Sequence, residues 1–147
     1  MDYGTNIATA IINGGLENPS IYGTVIFRPM GEGTLVSANI YGLPPMYGNS
    51  FHGFHLHENG ICDITKDFSD AGGHYNPTGE AHGMHAGDFP SLLSCNGFAK
   101  LEFYTNRFRP SDILGRSVII HENPDDFRTD PAGNSGKRIA CGIARKA

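Results

Sequence analysis

A chain of 147 residues is long enough to bury one sizeable core, and the expectation is a single domain over 1–147. Its 20 glycines and 9 prolines argue against a helical bundle, and a formal charge of −4 argues against a nucleic-acid partner held by bulk electrostatics. No apolar run approaches the roughly 20 residues needed to span a bilayer, and the N-terminal MDYGTNIATAII lacks the basic start of a signal peptide. The protein is therefore expected to be cytoplasmic, or exported with its signal already removed.

In chain order, NIATAII (6–12), GTVIFRP (23–29), TLVSANIYGL (34–43) and GFHLHE (53–58) read as short strands interrupted by Gly, Pro and Asn. From Gly60 to about Pro90 no regular structure is predicted; a loop that long in a compact domain is functional or disordered. GFAKLEFYT (97–105), RSVIIHE (116–122) and KRIACGIA (137–144) resume the strand pattern. SCNG (94–97) predicts a tight turn, its Asn-Gly pair suited to positive φ. RPSDILG (109–115) invites a helical turn with Ser111 as its cap. Strands at this spacing with little helix predict an antiparallel sandwich or barrel.

The chemistry-bearing residues concentrate in one stretch. Residues 52–90 hold six acids against one base, whereas the remainder is close to balanced, so cations would collect there. In HGFHLHENG (52–60), strand alternation turns His55 and His57 to one face as a chelating pair. It turns His52 to the other, where a buried, hydrogen-bonded structural role is expected. The loop AGGHYNPTGEAHGMHAGD then offers His74, His82, His85 and Asp88, three nitrogens and a carboxylate that suit tetrahedral zinc. VIIHENPDD places His121 at a strand end, followed by Asp125 and Asp126. Three cysteines, Cys62, Cys95 and Cys141, form no C-x-x-C pair, which removes zinc-finger and thioredoxin readings. Two can pair, leaving one free.

GFHLHENG, AGGHYNP, HAGD, VIIHENPDD and GNSGKRIACGIA, with GTVIFRP and YGLPP upstream, resemble the copper–zinc superoxide dismutases, most closely the bacterial type. The motifs fall in family order from about Ile7 to Ile143. The resemblance implies an eight-stranded antiparallel Greek-key barrel, an immunoglobulin-like sandwich whose long functional loops cover metals outside the barrel wall. It implies copper held by His55, His57, His74 and His121, and zinc held by His74, His82, His85 and Asp88. His74 would then bridge the two ions after losing both ring protons, which two adjacent dications make possible. Asp125 matches the carboxylate that orients one copper and one zinc histidine. Arg138 matches the arginine that guides and docks the anion, and Cys62 and Cys141 match the intrachain disulfide, which leaves Cys95 free.

The expected function is dismutation of superoxide to dioxygen and hydrogen peroxide, with Arg138 and His74 as catalytic residues. Superoxide is the expected partner, without nucleic acid or a membrane span, in a monomer or a homodimer. Two departures from the family pattern stand out. Only two residues separate His82 from His85, with Met84 inside the arc, so the zinc loop is short and expected to be strained. The segment from Asp126 to Arg138 is also short, leaving Arg128, Lys137 and Arg138 to steer the substrate against Asp126 and Asp130. The competing reading is a copper- and zinc-binding or copper-delivery protein on the same barrel without turnover, for which Cys95 and Met84 would be the soft donors. A purely structural domain does not account for six histidines in register, and hydrolytic zinc chemistry lacks an obvious general base.

Overall fold

The computed structural model describes residues 6–147, so the reading of the N-terminus falls partly outside them. Nine strands are present among the described residues: β1 Ala8–Gly14, β2 Tyr22–Met30, β3 Gly33–Tyr41, β4 Asn49–His52, β5 Phe54–His57, β6 Leu92–Cys95, β7 Ala99–Thr105, β8 Ser117–His121 and β9 Arg138–Lys146. Seven form an antiparallel sheet in the order β5-β8-β9-β1-β2-β3-β7, and β4 pairs with β6 in a second. Because β4 runs into β5 across Gly53 alone and β6 turns directly into β7, the small sheet bridges the two ends of the large one. The result is an all-β barrel-like architecture. Counting β4 and β5 as one strand broken at Gly53 recovers the expected eight.

Alternation builds the core. Ala8, Ala10 and Ile12 of β1, Val25 and Phe27 of β2, and Val36, Ala38 and Ile40 of β3 are fully buried, while their sequence neighbours face outward. Across the ladder small residues sit opposite larger ones, Ala8 against Phe27 and Ala38 against Val25, which favours close packing of the inner face. The predicted tight turn lies at Cys95–Phe98, with Asn96 at φ 50° and Gly97 at φ 85°, as an Asn-Gly hairpin requires. The predicted helical turn is a short 3₁₀ segment, Pro110–Ile113, but its cap is Arg109 rather than Ser111. The Asp112 carboxylate accepts from the Arg109 N–H at 2.8 Å, so Ser111 lies inside the turn and caps nothing.

The loop from Gly60 to Pro90 contains only two 3₁₀ turns, Ile64–Lys66 and Ser69–Ala71, with Asp63 capping the first through Thr65 N. A disulfide joins Cys62 to Cys141 of β9, and Phe68, Ala71 and Ile119 pack around it. Cys95 is free and exposed at the end of β6. Among the described residues no helix is long and apolar enough to cross a membrane.

Candidate metal centre

In β5 all four side chains are buried, but for two different reasons. Phe54 and Leu56 point into the core. His55 and His57 therefore point out of the barrel wall, where the long loop covers them. That loop is laid along the strand by backbone hydrogen bonds, Leu56 N to Gly87 O (2.9 Å) and Tyr75 N to Leu56 O (2.8 Å), and by bridges pairing His55 with Asp88 and His57 with His74. β8 brings His121 alongside, at the bulge where its pairing with β9 shifts register.

The sequence-predicted residues converge into two groups that share His74. His55, His57, His74 and His121 bring ligand nitrogens within 4.8 Å of one another, and so do His74, His82 and His85 with an Asp88 oxygen. In the first group His55 Nδ1, His57 Nε2, His74 Nε2 and His121 Nε2 are buried without any hydrogen-bond partner. Four orphaned nitrogens would be costly in a protein core unless something electrophilic sat among them. The opposite nitrogens are all engaged in three of these rings. His55 Nε2 donates to Asp125 Oδ2 (2.6 Å), His57 Nδ1 to Gly72 O (2.9 Å) and His121 Nδ1 to Gly136 O (3.1 Å). Each of these contacts fixes the tautomer, leaving a lone pair on the inward nitrogen. An all-imidazole set of this kind suits Cu(II).

The second group differs in its donor set. Asp88 Oδ1 lies 2.8 Å from His74 Nδ1, 3.2 Å from His85 Nδ1 and 3.4 Å from His82 Nδ1. Its other oxygen, Oδ2, accepts from Gly83 N (2.7 Å) and His85 N (3.0 Å) and so closes the short arc on itself. Three Nδ1 atoms around one carboxylate oxygen, all buried, match the N₃O donors of tetrahedral zinc. Asp125 ties the two groups together, because Oδ1 accepts from His82 Nε2 at 2.8 Å while Oδ2 holds His55.

Burial sets the titration of the cluster. It holds His57 well below the usual imidazole value, lowers His74 to about 4 and lowers His121 to about 3, with neighbouring imidazoles adding to the effect. Burial would raise Asp125, but the hydrogen bonds from His55 and His82 outweigh it and hold the carboxyl at about 2. The metal-free protein should therefore lose stability as pH falls from about 6.5 towards 4, because the unfolded chain takes up protons on these histidines that the folded chain refuses. Each can withdraw up to about 1.4 kcal/mol per pH unit in that window, whereas the Asp125 contribution persists until far lower pH. Urea midpoints of chelated protein between pH 7.5 and 4.5 check this. A flat profile would contradict it.

Residues 21–144 match the family model for copper/zinc superoxide dismutase. The chain belongs to the copper/zinc superoxide dismutase family. It is 38% identical to a Cu-Zn superoxide dismutase of Deinococcus radiodurans, over 86% of this chain and 79% of that one. It is 40% identical to Cu-Zn superoxide dismutase 2 of Aquifex aeolicus, over 78% and 73% of the two chains. The solved structure of Cu/Zn superoxide dismutase from Brucella abortus superposes with a TM-score of 0.77 at 28% identity, covering 93% of this chain and 98% of that one.

Within this superoxide dismutase fold, His52 stays apart from both groups. It is buried, with ring nitrogens 2.9 Å from His121 O and 2.8 Å from Pro44 O, so it fixes the backbone behind the cluster. Sequence reasoning missed the carbonyls of Gly72 and Gly136, since backbone acceptors leave no side-chain signature. It also missed Gly133, at φ 66°, where any Cβ would collide with Asp125 Oδ1 and His82 Nε2. The two acids of the short 126–138 segment are committed to local contacts. Asp126 accepts from Arg128 N, Thr129 N and Thr129 Oγ1, and Asp130 Oδ1 accepts from His82 N.

Proposed function

We propose that the protein dismutates superoxide to dioxygen and hydrogen peroxide, with copper held by His55, His57, His74 and His121 and zinc by His74, His82, His85 and Asp88. The observation that carries this reading is the set of four buried, unpartnered imidazole nitrogens beside an N₃O group that shares His74. Copper, when bound there, would supply alternating one-electron reduction and oxidation of superoxide, while zinc, which is d¹⁰, would supply fixed positive charge without redox chemistry.

The chain's own residues supply orientation, charge and protons. His74 is the imidazole whose two nitrogens face different groups, so its Nε2 is the atom at which a proton can be held and passed to departing peroxide. Asp125 keeps the His55 and His82 rings from turning. Arg138 donates from Nη2 to Gly72 O (2.6 Å) and from Nη1 to Phe68 O (2.9 Å). Gly72 O also receives His57 Nδ1–H, so the guanidinium is anchored one hydrogen bond from the copper histidines, where an anion would dock.

Arg138→Ala should lower superoxide turnover by about 10-fold or more at low salt, as loss of a charged anion contact predicts, while copper content is retained. The loss should shrink at high ionic strength, and equal activity of variant and parent at low salt would refute the role. The delivery reading gains nothing here. Cys95 is exposed on β6 and Met84 is 59% exposed on the outer side of the zinc arc, so neither soft donor joins the copper histidines. The disulfide supports an oxidising compartment, which favours the exported alternative over the cytoplasmic one. The assembly is a monomer or a homodimer, which light scattering on the purified protein distinguishes. A superoxide-decay assay on metal-loaded protein tests the activity itself.

A further inference from the structure

We infer that Arg107 and Asp130, neither of them in the zinc loop, are positioning residues that hold its shortened arc in ligating geometry. This inference rests on the zinc assignment proposed above. The arc from His82 to Asp88 must bring three donors to one point with only Gly83 and Met84 between the two histidines. Internally it is closed by two turns, Met84 N to Ala81 O (3.0 Å) and Asp88 N to His85 O (3.1 Å), and by the Asp88 Oδ2 contacts. Gly83 is at φ 95° and a Cβ there would meet Phe127 O at 2.6 Å, so the arc is pressed against the 126–138 segment.

Two contacts from outside then grip its ends. At the His82 end, Asp130 Oδ1 accepts the His82 N–H at 2.7 Å. At the His85 end, Arg107, in the connection after β7, donates from Nη1 to His85 O at 2.9 Å, and its Nη2 lies 3.9 Å from Met84 Sδ. Each contact is charge-assisted and falls on the backbone of a zinc-group histidine rather than on its ring. A longer loop could stiffen itself with its own turns and contacts. Here the rest of the barrel does so, which is how an arc expected to be strained can present His82 Nδ1 and His85 Nδ1 within 3.4 Å and 3.2 Å of the same Asp88 oxygen.

The test is zinc affinity by chelator competition on the full chain with copper loaded. Arg107→Ala and Asp130→Ala should each weaken zinc by about tenfold, the lower end of what loss of a ligand's outer support costs. Copper affinity should be unchanged. Asp130→Asn, which keeps an acceptor oxygen, should restore most of the affinity, and Arg107→Lys should restore part. Cobalt in place of zinc should show a changed visible d–d spectrum in the alanine variants, a readout that a general loss of stability would not produce. Both side chains are exposed, so unfolding midpoints of the metal-free variants should match the parent. Zinc affinities within twofold of the parent in both alanine variants, with unaltered cobalt spectra, would overturn the inference. A parent that binds no zinc at all would instead overturn the zinc assignment on which it rests.

Discussion

His74→Ala should abolish superoxide turnover and weaken zinc about 100- to 1000-fold, while copper still binds. The magnitude follows from dividing the roughly 10–16 kcal/mol typical of a four-ligand zinc site among its donors. His74 is the shared member of both groups, its Nε2 among the unpartnered nitrogens and its Nδ1 2.8 Å from Asp88 Oδ1. The copper group keeps His55, His57 and His121, whose outer nitrogens stay tied to Asp125, Gly72 and Gly136. Copper content and zinc content measured separately, beside the decay rate, distinguish this from collapse of the whole centre. Turnover within a few-fold of the parent would show that the shared imidazole has no part in the chemistry.

Cys62→Ser should cost about 4–5 kcal/mol of stability in the chain-entropy model, since the bridge closes 79 residues of sequence separation. Cys141→Ser should cost about the same, because either change removes the same bond. A functional effect should accompany the loss of stability. The tethered segment carries Phe68 O and Gly72 O, the acceptors that anchor Arg138, and Gly72 O also orients His57. Freed from Cys141, that segment should let both side chains wander, and activity should fall before the fold is lost. Urea unfolding of the oxidised parent and of the two variants measures the first effect. A cost below about 1 kcal/mol in both variants would contradict it.

Much of this was legible in the residues, and what was not has physical reasons. Strands whose inner face is apolar announce themselves by alternation, as in β1, β2 and β3. β4 and β6 do not, because each is only four residues long and turns an apolar side chain outward, Phe51 or Leu93, while burying a polar one, His52 or Ser94. The proposed ligand residues were visible as clustered histidines with an aspartate, since side-chain identity is what a metal reads. The parts that hold them were mostly invisible. Gly72 and Gly136 contribute through carbonyls, Gly133 through the absence of a Cβ, and Arg107 through a fold that brings position 107 beside position 85. The expectation of a strained zinc arc came from counting two residues between His82 and His85. Counting could not register the support that Arg107 and Asp130 bring from elsewhere in the chain.

The central claim is a paired centre in which one imidazole serves two ions. Its most direct test is elemental analysis of metal-saturated protein per chain, after removal of loosely bound ions. One copper and one zinc per chain is the predicted result, with neither replaced by a second equivalent of the other when both are supplied. Saturation at a single ion per chain would contradict the paired centre and leave a copper-only account in its place.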